Sequence, residues 1–111
     1  TMNVYGDILS YLAAGRVGGF GVAPGANIGD DIAIFEAVHG SAPDIAGQNK
    51  ANPLALLLSS IEMLKYLDLH EYAEKIEKAL LKTLSESNCK TADLGGNATT
   101  TEFTYSIIKN L

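Results

Sequence analysis

A chain of 111 residues has the length of one domain and can bury a modest hydrophobic core. With 47% hydrophobic and 19% charged residues, the composition is that of a globular protein and excludes a disordered chain. The net charge of −5 argues against nucleic acid or an anionic membrane as partner, and Cys89 as single cysteine excludes an internal disulfide and favours a reducing, intracellular location.

The amino-terminal part contains one predicted helix, a glycine-rich connection and one predicted strand. Apolar residues recur at helical spacing over residues 5–17, and Gly18-Gly19 predicts the end of that helix. The segment 18–31 carries several glycines and a proline, which predicts a tightly folded connection. Residues 32–38 are β-branched and aromatic enough to form a strand.

Three helices are predicted in the remainder of the chain. Asn52 and Pro53 favour a helix start, and the first helix continues to about Tyr66. A cap at Asp68 is predicted to begin the second helix, and residues 99–102 resemble a capped start of the last one. The residues predicted to face inward are Leu54, Leu57, Leu58, Ile61, Leu64 and Leu67 in the first helix, Tyr72, Ile76, Leu80 and Leu84 in the second, and Phe103, Ile107, Ile108 and Leu111 in the last.

These elements predict an α/β fold with helices packed on a partial sheet. Only one strand is clear, yet several amphipathic helices need a sheet to cover. The sequence is therefore interpreted as a single region, residues 1–111, from the carboxy-terminal part of a longer polypeptide.

The segment 33–53, AIFEAVHGSAPDIAGQNKANP, carries the most specific signal in the chain. Loops this rich in Gly, Ser, Asp and Asn bring backbone amides and short polar side chains up to a ligand. The common Gly-x-Gly-x-x-Gly dinucleotide fingerprint is absent. Instead, the string from His39 to Gly47, followed by Ala-Asn-Pro, resembles the adenosine-binding loop of the NAD(P)-dependent β-decarboxylating dehydrogenases. A plain surface turn accounts for Asp44 alone but not for the whole string.

The resemblance implies a role for each residue of this loop. Glu36 is expected near the nicotinamide ribose, His39 near the adenosine (or as a structural, hydrogen-bonded imidazole), and Asn52 at the adenine edge. Asp44 can accept hydrogen bonds from both ribose hydroxyls and repels a 2′-phosphate, which favours NAD over NADP. The implied cofactor-binding residues are Glu36, His39, Gly40, Ser41, Ala42, Pro43, Asp44, Ile45, Asn52 and Asp93.

A second motif lies at the start of the first helix. Residues 6–11, GDILSY, resemble the family pattern Gly-Asp-x-x-Ser-Asp. In that pattern two carboxylates four residues apart share one helical face and hold Mg²⁺ or Mn²⁺. Asp7 matches the first carboxylate and is the predicted metal ligand; without the flanking match it would be interpreted as a carboxylate favoured at a helix start. Tyr11 stands at the second position, where a neutral phenol is a poor ligand for these ions.

The resemblance implies an NAD-dependent oxidative decarboxylase of a 2-hydroxy acid. Residues 24–29, Pro-Gly-Ala-Asn-Ile-Gly, favour isocitrate as the acid, with homoisocitrate or isopropylmalate as alternatives. Residues 1–20 would belong to the metal and dimer-interface part, and residues 21–111 to the large domain with the NAD loop. The implied partners are the small acid and further subunits of a homo- or hetero-oligomer, in the cytoplasm or, in a eukaryote, the mitochondrial matrix.

The family's catalytic tyrosine and lysine and its substrate arginines have no match in this chain. No catalytic residue is therefore assigned, and the isolated chain is expected to be inactive. The substitution at Tyr11 keeps a different class open, a non-catalytic regulatory subunit or a nucleotide-binding fragment. A purely structural helical domain is the remaining alternative.

Overall fold

The computed structural model describes residues 2–19, 22–86 and 88–111. Within these described ranges, four helices and a two-stranded sheet confirm the predicted α/β class. In chain order the elements are α1 (Asn3–Val17), β1 (Pro24–Ile28), β2 (Ala33–Ala37), α2 (Leu54–Tyr66), α3 (His70–Ser85) and α4 (Thr100–Asn110), with short 3-10 turns at Pro43–Ile45 and Ala92–Leu94. Among the described residues, no helix is long and apolar enough to cross a membrane.

The strand β1 is the largest difference from the sequence prediction. It lies inside the segment predicted only as a tight connection, and it pairs antiparallel with β2 so that Gly25 faces Glu36. Its sequence, PGANI, has low intrinsic β propensity, so the strand forms because of its pairing partner and not because of local preference. A side chain at position 25 would place its Cβ 2.7 Å from the Val38 side chain, which explains the glycine there.

The core lies between α2, α3 and α4, and α2 also covers one face of the hairpin. Phe103, Ile61 and Leu80 are almost completely buried, as predicted. The partly buried side chains packed against this core include Leu57, Leu58, Leu64, Ile76 and Leu84.

Four residues predicted to face inward are exposed, namely Leu67, Tyr72, Ile108 and Leu111. Each helix meets the core along one narrow face, and neighbouring positions are rotated by about 100°. The inward neighbour is Ala73 at the start of α3 and Ile107 in α4, and both are buried. The predictions for Tyr72 and Ile108 were wrong because the apolar stripe was drawn too wide. Those for Leu67 and Leu111 were wrong because α2 and α4 end one residue before them.

The helix starts were predicted with mixed success. The N-cap of α2 is Pro53 and not Asn52 as predicted, but the Asn52 side chain still accepts a hydrogen bond from the Leu54 backbone N–H at 3.0 Å. The capping box at α4 is confirmed, with Thr99 and Glu102 bonded reciprocally. The predicted cap at Asp68 is wrong, because α3 begins after Leu69 and Asp68 adopts a left-handed conformation with φ of 57°.

Helix α1 contacts the rest of the chain only weakly. Of its described side chains, only Ala14 is buried. The following apolar side chains of α1 are each more than half exposed: Val4, Tyr5, Ile8, Leu9, Tyr11 and Leu12. The helix ends as predicted at Gly18, whose φ of 116° suits a residue without a side chain.

Candidate functional site

The loop after β2 forms a wall of a cavity of about 760 Å³, here called the loop cavity. That volume lies within the range of about 300–1,000 Å³ that is typical of small-molecule sites. Seven of the predicted cofactor residues line it: His39, Gly40, Ser41, Ala42, Ile45, Asn52 and Asp93. The remaining lining residues are Ala46, Gly47, Asn49, Lys50, Ala51, Ala92 and Thr100.

The backbone of the loop turns sharply at three residues with positive φ. Ala42 has φ of 42°, Gly47 of 74° and Asn49 of 57°. Between the first two lies the 3-10 turn Pro43–Ile45, closed by the Ala46 N–H donating to the Pro43 carbonyl at 3.3 Å. These turns fold the segment around the cavity instead of continuing the strand.

Asp44 lies in that turn but not in the lining of the loop cavity. Its neighbours Ala42 and Ile45 line the loop cavity, whereas the exposed Asp44 side chain is not part of the lining. The Asp44 carbonyl accepts a hydrogen bond from the Gln48 side chain at 2.7 Å, which fixes the turn. This bond fixes the Asp44 backbone, and contact of the Asp44 carboxylate with a ribose stays a prediction.

Asn52 and Asp93 are joined across the base of the loop cavity. The Asn52 side-chain amide donates to the Asp93 carboxylate at 2.8 Å, and the Thr91 hydroxyl donates to the other Asp93 oxygen at 2.5 Å. The Asn52 amide nitrogen carries two hydrogens, and the bond to Asp93 uses one of them, so the side chain has a second donor for a ligand.

The chemistry of this lining fits a nucleoside. Ile45 and the alanines provide apolar surface for a flat base, and Asn52 offers a donor to a ring nitrogen. Lys50 adds a positive charge to the lining. The residues present are therefore compatible with the adenosine half of a dinucleotide.

A second cavity of about 550 Å³ lies between α1 and the hairpin, and we call it the hairpin cavity. Asp7 and Glu36 both line it, so the predicted metal ligand and the predicted nicotinamide-ribose contact share one space. Asn27 donates to the Glu36 carboxylate at 2.8 Å and holds it in place. The sequence places Asn27 in a tight connection and in the motif at residues 24–29, and only the strand pairing reveals its contact with Glu36.

The described residues do not make a metal site by themselves. No group of three or more His, Cys, Asp or Glu side chains among them is placed to hold an ion. Mg²⁺ demands near-octahedral oxygen coordination, to which the predicted ligand Asp7 would contribute one carboxylate. Tyr11 is not in the lining of the hairpin cavity. Asp7 can thus serve only as one contributor to a site completed by other residues.

Comparison with known proteins identifies the class first. The chain superimposes on the crystal structure of isocitrate dehydrogenase from Methylococcus capsulatus with a TM-score of 0.89 and 42% identity, over 97% of this chain and 32% of that one. The fold is therefore that of an α/β dehydrogenase. A model of the isocitrate/isopropylmalate dehydrogenase family matches residues 1–107, and the chain belongs to this family, as its loop predicts.

One catalytic and one regulatory subunit have nearly the same sequence identity to this chain. The chain is 58% identical over 110 residues to the mitochondrial catalytic subunit 5 of NAD isocitrate dehydrogenase from Arabidopsis thaliana, covering 98% of this chain and 29% of that protein. It is 56% identical over 110 residues to a mitochondrial regulatory subunit of the same enzyme from Dictyostelium discoideum, covering 98% and 31%. The chain thus spans less than a third of the length of these relatives.

Proposed function

We propose that this chain forms the cofactor-binding, carboxy-terminal part of an NAD-dependent isocitrate dehydrogenase. The observation that carries the proposal is the loop cavity, which gathers seven of the predicted cofactor residues around one space. The names of close relatives support isocitrate as the substrate and NAD as the cofactor. The complete enzyme would convert isocitrate into 2-oxoglutarate and carbon dioxide.

Bound NAD would accept the hydride from the alcohol carbon of the substrate. The role of this chain would be to bind and orient that cofactor. The loop cavity would hold the adenosine, with Asp44 at its edge accepting the ribose hydroxyls. Glu36, held by Asn27, would face the nicotinamide half from the hairpin cavity.

We also propose that the protein acts in the mitochondrial matrix as one subunit of an oligomer. Both relatives named above are mitochondrial subunits, one catalytic and one regulatory. The exposed apolar face of α1 supports an assembly in which this helix is covered.

The proposal is tested with the complete protein that carries this chain. Calorimetry should show saturable NAD binding, and assays with isocitrate, homoisocitrate and isopropylmalate should give NADH from isocitrate. The isolated 111-residue chain should give no NADH with isocitrate, NAD and Mg²⁺. Absence of NAD binding by the complete protein would reject the proposal, and turnover of another acid only would reject the substrate.

A non-catalytic regulatory subunit is the second candidate, and Tyr11 is the observation that favours it. Catalytic and regulatory relatives are almost equally similar, so identity does not separate the two functions. Changing Tyr11→Asp in the complete protein tests this candidate. A gain of metal-dependent activity supports it, whereas a wild-type enzyme that is active and unaffected by the change removes the reason for it.

A further inference from the structure

Asn49 connects the wall of the loop cavity to the start of α4, more than fifty residues further along the chain. Its carbonyl oxygen accepts a hydrogen bond from the Thr100 N–H at 2.9 Å. Its side-chain oxygen accepts two more from Thr101, one from the backbone N–H at 3.2 Å and one from the hydroxyl at 2.9 Å. The Thr100 hydroxyl adds a fourth bond, donated to the Ala51 carbonyl at 2.5 Å.

These bonds satisfy backbone N–H groups at the start of α4 and fix the position of the loop. The first N–H groups of a helix have no partner within the helix, and Asn49 supplies acceptors for two of them. In return, the loop gains a fixed point on a helix that is anchored in the core by Phe103 and Ile107. The left-handed conformation of Asn49, with φ of 57°, is one that asparagine tolerates better than most residues.

We propose that Asn49 is a positioning residue, which holds the loop cavity in its binding shape by tying residues 47–52 to α4. This inference rests on the proposed function, since it assigns the cavity to the adenosine of NAD. Asn49 acts through the loop and not by contact with the reacting atoms. Asn49 itself lines the loop cavity, but Thr101 does not, so these bonds can be altered from the Thr101 side without changing a lining residue.

Four variants of the complete protein separate this role from direct contact. Asn49→Gly keeps the left-handed backbone and removes the side-chain acceptor. Thr101→Val removes one donor at a residue outside the cavity, and Thr101→Ser restores it. Thr104→Val is the matched control, because Thr104 is an exposed α4 residue whose hydroxyl bonds only within the helix, to the Thr100 carbonyl at 2.8 Å.

The readouts are the Kd for NAD by calorimetry and the KM values for NAD and for isocitrate. If the competent loop is populated about tenfold less in Asn49→Gly, the Kd for NAD rises about tenfold. Thr101→Val should raise it by roughly threefold, Thr101→Ser and Thr104→Val should match wild type, and the KM for isocitrate should stay constant. Equal NAD affinity in Asn49→Gly, Thr101→Val and Thr104→Val would overturn the inference.

Amide hydrogen exchange over residues 46–53 keeps the inference testable whatever the ligand is. Faster exchange in Thr101→Val than in Thr104→Val supports the tie, and identical exchange refutes it. If wild-type protein fails to bind NAD, the proposed function falls, while the exchange data still decide whether Asn49 holds the loop.

Discussion

The Ser59 hydroxyl is buried and joins three elements of the fold. It accepts a hydrogen bond from the Gly25 N–H of β1 at 3.3 Å, and its oxygen lies 2.7 Å from the Glu36 carbonyl of β2. The carbonyl of Ala55, one turn earlier in α2, lies 2.9 Å away. Since Gly25 and Glu36 face each other in the sheet, this hydroxyl connects α2 to the part of the hairpin that carries Glu36.

Replacing Ser59→Ala should therefore destabilise the fold. Loss of the hydroxyl leaves partly buried hairpin backbone groups without their partner, which costs about 1–3 kcal/mol of unfolding free energy. The control is Ser60→Ala, which removes a hydroxyl bonded only to the Leu56 carbonyl of the same helix and should change stability by less than about 0.5 kcal/mol. Urea unfolding of both variants provides the measurement, and equal stabilities would show that the bridge contributes nothing.

The charge of Asp44 is expected to select NAD over NADP. A carboxylate about 4 Å from one phosphate charge is repelled by about 1 kcal/mol in water and about 4 kcal/mol at a protein surface. Asp44→Asn keeps an acceptor for the ribose hydroxyls and removes the charge, so NADP affinity should rise while NAD affinity changes little. Asp44→Ala should weaken NAD binding by about tenfold. Calorimetry with NAD and NADP measures both affinities. If neither affinity changes in either variant, Asp44 does not contact the cofactor.

Whether a feature of the candidate site was predictable depends on how far apart in sequence the contacting residues are. That residues 39–42 and Ile45 lie around one cavity was predictable because they are close together in sequence; their contact with a cofactor stays a prediction. The bond between Asn52 and Asp93 was not predictable, because 41 residues separate the two and each was assigned to the adenine independently. Asn49 gave no signal of its own, since its partners are created by the docking of α4.

At the scale of elements, the start of α4 and the strand β2 were predictable from local sequence, whereas the cap of α3 and the strand β1 were not. The capping box at α4 uses residues three apart, and the structure contains both of its bonds. The strand β1 depends on β2 and on the absence of a side chain at Gly25, neither of which appears in the local pattern of PGANI. Formation of β1 is therefore a tertiary effect, and capping of α4 a local one.

The capping box makes the stability of α4 sensitive to acid. Hydrogen bonds from the Thr99 backbone N–H, and then from its hydroxyl, lower the pKa of Glu102 below its ordinary value of 4.5. The ionised box therefore stabilises the folded state fully above pH 4.5, and this contribution is lost as the pH falls through the lowered pKa.

Glu102→Gln tests this dependence, because glutamine keeps an acceptor but does not titrate. Thermal unfolding is compared from neutral pH downwards. Wild type should be more stable than Glu102→Gln above pH 4.5, and the difference should shrink as the pH falls below it. A difference that stays constant across this range would show that the charge of Glu102 plays no part.

At the scale of the whole molecule, the chain exposes more surface than its mass requires. Its accessible area is 7880 Å², whereas a compact protein of 11.7 kDa exposes about 5,900 Å². The excess of about 2,000 Å² is comparable to the total area of a large protein interface. Exposed apolar side chains on α1 and on the hairpin contribute to this area, among them Ile28, Ile32 and Ile34.

The apolar face of α1 gives the last prediction. Val4, Ile8 and Leu12 are four residues apart and share one side of the helix, with exposures of 68%, 58% and 68%. If this face is covered in the proposed oligomer, Leu12→Glu places a charge in an apolar contact and should weaken association by at least about 2 kcal/mol, roughly thirtyfold. Leu81→Glu is the control, because Leu81 is 60% exposed on α3 and undergoes the same chemical change. Analytical ultracentrifugation of the complete protein measures the effect; if Leu12→Glu sediments as wild type does, then α1 is covered by the subunit's own remaining residues and not by another subunit.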